Sequence, residues 1–220
     1  MALTAQPAAA SSLIIGDTTQ NGGNGFPFNS TFGTRYQQVY SSGEFSEAVT
    51  ISELFFIPLT DPSDSDAGTR SVIISLSSTS ALVDALSSTF NNNLGANNTI
   101  VFSGPLPTLT PGENLVFSLA TPFNYDPTSG QNLLIDMQFG GTGSYGTQFG
   151  ASNGTAGGAF SRRHNFGTEF AGWGLTTGFT FGAPIPEPAT WMMLVLGFGL
   201  IGGTMRAAKR RQKLSVSYAG

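Results

Sequence analysis

The sequence predicts an all-β protein: an antiparallel β-sandwich, jelly-roll-like, with one short helix, followed by a single C-terminal transmembrane helix. Three observations lead there. Short runs rich in Val, Ile, Phe and Leu recur along the chain, separated by Asn, Gly, Pro and Ser turns. The 220 residues include 29 Gly and 18 Phe but only 10% charged residues, a composition that is neither disordered nor helical. Charge is also segregated. Residues 1–185 hold 12 acidic and 4 basic side chains and no Lys, whereas five basic residues follow Met205.

In chain order, residues 12–16 (SLIIG) open a strand, and the Asn-Gly and Gly-Gly steps after them make a turn region. Residues 35–41 (RYQQVYS) read as a strand. Residues 48–59 alternate and then turn solidly apolar, a central strand stopped at Pro58. Residues 71–77 (SVIISLS) form another. Leu82, Leu86 and Phe90 recur every four residues, with Thr79 or Ser80 as cap, which predicts the short helix over 80–91. Further strands fall at 99–103, 114–120, 131–139, 159–164 and 176–181, and the Gly-rich stretch 140–158 reads as a long loop. The count is eight to ten strands. Strands this short, with turns this long, favour a sandwich.

The domain boundaries follow from composition. Residues 1–11 look like the remnant of a signal peptide, because Ala8-Ala9-Ala10 resembles a cleavage end while no basic or apolar region precedes it. Residues 12–183 form the β domain, 184–213 a sorting segment with its membrane helix at 189–205, and 214–220 a cytoplasmic tail. The 18 uncharged residues from Pro188 to Met205 would make a helix roughly 27 Å long, just enough for a thin bilayer core. Arg206, Lys209, Arg210, Arg211 and Lys213 form a basic stop that keeps that end cytoplasmic, so the acidic body faces outward. The acidic body also argues against a nucleic-acid partner.

Pro186, Glu187 and Pro188, with Trp191 after them, a span studded with Gly197, Gly199, Gly202 and Gly203, and the basic stop resemble the PEP-CTERM sorting signal of bacteria. The resemblance implies an exported protein that an exosortase-type membrane protease recognises and cuts. It would be an inner-membrane precursor delivered to the cell surface or an exopolysaccharide matrix. An ordinary C-terminal anchor is the alternative. The stretches Thr34 to Tyr40 with Phe45, Leu86 to Phe90, and Thr121 to Pro127 resemble a cargo domain of other PEP-CTERM proteins, one without an assigned activity.

Other chemistry is thinly signalled. Asp61, Asp64 and Asp66 with Gly68 share one loop that could gather calcium, but Val72 stands where an EF-hand needs an acid, and a solvated acidic turn is the competing reading. His164, the single histidine, follows Arg162 and Arg163 without a fixed Ser or Asp partner. Glu44, Glu47, Glu53, Glu113, Asp136 and Glu169 are carboxylates that sequence cannot pair for glycosidase work. Trp173, in Ala-Gly-Trp-Gly, would expose a ring for sugar stacking, with Tyr36, Tyr40, Tyr125 and Tyr145 as neighbours, unless these rings are core. The expectation is a non-enzymatic protein without a cofactor. A lectin-like module is the rival and a secreted hydrolase the weaker one.

Overall fold

The computed structural model describes residues 11–18, 26–28, 34–154, 156–165 and 172–182. The chain divides into two compact units, residues 1–183 and 184–220, and every described residue belongs to the first. The expected membrane helix at 189–205 and its basic stop lie outside the described residues. Among the described residues, no helix is long and apolar enough to cross a membrane.

Eleven strands run through the described residues: β1 (Ser11–Ile15), β2 (Arg35–Tyr40), β3 (Val49–Phe56), β4 (Ser71–Thr79), β5 (Thr99–Pro105), β6 (Leu115–Tyr125), β7 (Asn132–Gly140), β8 (Ala151–Asn153), β9 (Phe160–His164), β10 (Trp173–Leu175) and β11 (Thr177–Phe181). Every strand pair is antiparallel. One sheet has the order β1-β11-β3-β6, a second β5-β4-β7-β2-β9, and β10-β8 form a small third. The result is the predicted all-β sandwich.

Side-chain alternation decides what each strand buries. In β6, Leu115, Phe117 and Leu119 point into the core while Val116, Ser118 and Ala120 face out. Phenylalanines then fill the space between the sheets. Phe28 is fully buried, with ring centroids 4.8 Å from Phe56 of β3, 5.9 Å from Phe117 of β6, 6.1 Å from Phe139 of β7 and 5.2 Å from Phe149. Tyr40 of β2 meets Phe179 of β11 edge-on at 5.2 Å, a second bridge between the large sheets.

Two expectations need correction. Residues 80–91 do not form the helix. Asp84 adopts φ 64°, which no right-handed helix contains, and only a 3-10 turn forms, at Phe90–Asn93. The four-residue spacing misled because Leu82 is 64% exposed while Leu86 is buried against Val39 and Leu134. The expected loop over 140–158 contains β8, whose partner β10 was not foreseen because three-residue strands carry little pattern. Loop 140–146 is also built in rather than draped outside: Tyr145 is fully buried and its hydroxyl donates to the Pro107 carbonyl.

That loop presses backbone to backbone on the acidic loop. Gly143 has φ 145°, and a Cβ there would stand 1.4 Å from the Ala67 carbonyl oxygen. Gly143→Ala should therefore cost about 3 kcal/mol, a Tm drop of roughly 6–12 °C in thermal melts. Gly43→Ala, whose Cβ would meet nothing nearer than 3.5 Å, should stay within about 0.5 kcal/mol.

Candidate functional site

Strand β2 carries two consecutive amides, Gln37 and Gln38, both buried, and each face of the strand solves a different polar problem. Towards the core, Gln38 Nε2 donates to the Leu175 carbonyl at 2.8 Å and its Oε1 accepts from the Leu175 N–H at 2.8 Å. The side chain thus pairs with β10 as a neighbouring strand would, where the chain passes from β10 to β11. Gln38 Nε2 also donates to the Tyr40 hydroxyl, which donates in turn to Thr177 Oγ1 at 2.6 Å. The Tyr36 hydroxyl donates to Gln38 Oε1. Burial pushes the Tyr36 phenol up to about 12, against the pull of nearby Arg162, so both tyrosines stay neutral donors.

On the outward face, Asp136 of β7 is 2% exposed. Arg35 grips it with two bonds, Nε to Oδ1 at 2.8 Å and Nη2 to Oδ2 at 3.0 Å. Gln37 Nε2 adds a third at 3.0 Å, and Asn93 Nδ2 donates to Gln37 Oε1 at 2.8 Å. The excursion from β4 to β5 lies over this network: Phe90 under the Arg35 guanidinium at 5.1 Å, and Leu86 against Val39 and Leu134. Sequence reasoning did not single out Gln37, Gln38 or Asn93. The signal was present as a Gln-Gln pair in the middle of a strand that goes on to bury Val39 and Tyr40.

The residues singled out for chemistry scatter. Trp173 begins β10, opposite Asn153, half-buried, with the Arg162 guanidinium 5.6 Å over its ring. Tyr36, Tyr40, Tyr125 and Tyr145 are 1% exposed or less, so they are core and add nothing to a sugar platform there. His164 ends β9, buried, with Phe26 edge-on at 4.8 Å. Burial foremost, then Arg162 and Arg163, depress its pKa to about 4, so it is neutral near pH 7. Asp64 accepts from the Asp66 amide and Asp66 from the Gly68 amide, each a capped turn, while Asp61 accepts from the Gly112 amide, 51 residues further along the chain. Among the described residues no three His, Cys, Asp or Glu side chains converge as a metal site. Glu44 and Glu47 rim a groove of about 450 Å³ floored by Leu13, Phe45, Val49 and Phe181. Glu53 stands apart on β3 and Glu169 lies outside the described residues.

The clearest likeness to known proteins lies in the tail. The family model described as the PEP-CTERM protein-sorting motif matches residues 184–211. The chain carries a PEP-CTERM sorting signal. The match includes Pro186, Glu187, Pro188, Trp191, the span glycines and the basic residues through Arg211. No curated protein matches the chain. Among solved structures, the infectious bursal disease virus VP2 subviral particle is 12% identical, with 82% of this chain and 42% of that chain covered and a TM-score of 0.23. A mutant VP2 particle of the same virus is 11% identical, with 86% and 47% covered and a TM-score of 0.19. This chain spans less than half of either, and scores that low carry no argument about fold or role.

Two outcomes test the body that bears the PEP-CTERM signal. Asp136→Ala should cost about 3–5 kcal/mol by denaturant titration, because it strands the Arg35 guanidinium and the Gln37 amide. For His164, the folded pKa lies below the ordinary unfolded value of 6.5, so the unfolded chain binds the proton first. Its contribution is complete above about pH 6.5 and lost as pH falls towards 4. Melting temperatures across that window should fall less steeply in His164→Gln than in the parent.

Proposed function

We propose that this chain is a non-enzymatic exported protein of the bacterial surface or exopolysaccharide matrix, sorted through its PEP-CTERM signal. The match at residues 184–211 carries the reading. The precursor sits in the inner membrane through a helix at 189–205, with Arg206, Lys209, Arg210, Arg211 and Lys213 on the cytoplasmic side. An exosortase-type protease cuts near Pro186–Pro188 and frees the β domain outside. Charge supports this orientation: the Lys-free body carries about −8 and the segment after Met205 +5, which suits opposite sides of a membrane.

The delivered domain we read as a jelly roll. With β8, β9 and β10 set aside, the sheets run β1-β11-β3-β6 and β2-β7-β4-β5, so successive strands cross between layers at every step except from β4 to its neighbour β5, as two Greek keys require. A lectin-like role at Trp173 has less to stand on, since Arg162 occupies space over that ring.

Mass spectrometry of the surface-exposed protein from the native host tests the sorting reading. The mature chain should end close to residues 184–188, and Glu187→Ala should accumulate a longer membrane-bound precursor. Surface protein still ending at Gly220 would leave a simple anchor instead.

A further inference from the structure

The outer face of the β1-β11-β3-β6 sheet carries one apolar row. Ile14, Gly178, Phe55 and Val116 are direct cross-strand partners in β1, β11, β3 and β6. Three strand spacings make the row about 14 Å long. Ile14 is 43% exposed and Val116 36%. Between them a Cβ on Gly178 would fall 2.0, 2.1 and 2.3 Å from Phe55 Cζ, Cε2 and Cε1. A point so nearly equidistant from three ring atoms lies above the ring's plane, so Phe55 lies flat across the glycine. Its opposite face therefore turns away from the sheet.

Two residues along the strands, a polar row runs parallel: Ser12, Thr180, Glu53 and Ser118. Thr180 Oγ1 donates to Glu53 Oε1 at 3.0 Å and Ser118 Oγ to Oε2 at 3.4 Å, so both carboxylate oxygens are held in place. A flat aromatic bordered by ordered acceptors and hydroxyls matches a ligand with one C–H face and a rim of hydroxyls.

We propose that this face binds a neutral polysaccharide, stacking a pyranose ring on Phe55 and meeting its hydroxyls with Glu53, Thr180 and Ser118. The other occupants fit less well. A second copy would need about 800 Å² from each partner, far more than this row offers. An anionic lipid surface would oppose Glu53 and the acidic body. The proposal is independent of the sorting reading, because the mature C-terminus reports on that alone.

Affinity electrophoresis of the full-length chain in mild non-ionic detergent tests it, with gels containing hydroxyethylcellulose, xylan, galactomannan or alginate. At least one neutral polymer should retard the protein, and alginate should retard it less. Phe55→Ala should weaken retardation at least tenfold. Val116→Asp, at the exposed margin where the fold tolerates change, should weaken it several-fold with Tm unchanged, and Trp173→Ala should leave it intact. No retardation in any gel, or equal retardation of the Phe55 and Val116 variants and the parent, would each overturn it.

Discussion

A carboxylate inside a β-sheet sets the terms for half of this domain. Asp136 sits in β7, the central strand of the five-stranded sheet, on the face turned away from the aromatic core. A buried charge is tolerable only when gripped by a cation and its remaining lone pairs are satisfied. Arg35 supplies the grip from the neighbouring strand, and Gln37 and Gln138 supply further bonds. Water must also be kept off, and the excursion between β4 and β5 does that, anchored by Asn93 on Gln37 and by Leu86 on a small cluster of its own. Around Asp136 the sheet is therefore covered on both faces, unlike the half-solvated sheets usual in sandwiches.

The opposite side of β2 shows how the small β10-β8 pair joins the sandwich. At the end of β10, Leu175 still stands opposite Ala151 of β8, and the Gln38 amide takes its backbone donor and acceptor. Tyr36, Tyr40 and Thr177 complete the network, so a buried polar patch persists among the phenylalanines without an unbonded hydroxyl. Phe28 plays the corresponding role for the apolar interior, touching rings from both large sheets.

Long, strongly patterned strands were legible in the sequence. The runs that became β3, β4 and β7 declare themselves through β-branched and aromatic residues, and their predicted limits lie within a few residues of those observed. The helix expected over 80–91 was not legible correctly, because Leu86 serves a two-sided sheet and Leu82 serves nothing. Periodicity cannot tell a helix face from a loop that touches down once. The sorting signal was fully legible, since its recognition depends on local order along the chain. The polar networks and the Phe55 row were not, because each joins residues far apart in sequence through sheet register, which no local pattern encodes. Trp173 drew notice as an isolated aromatic, whereas Phe55 was hidden inside an apolar run.

The register of the first and last strands has a mechanical meaning. Ser11 pairs with Phe181, so the chain enters and leaves the domain side by side at one end of a single ladder. Tension applied through both termini would load the hydrogen bonds of β1 and β11 one at a time, the unzipping geometry, in which resistance is low. Tension applied through one terminus alone would bypass the ladder and leave the body slack.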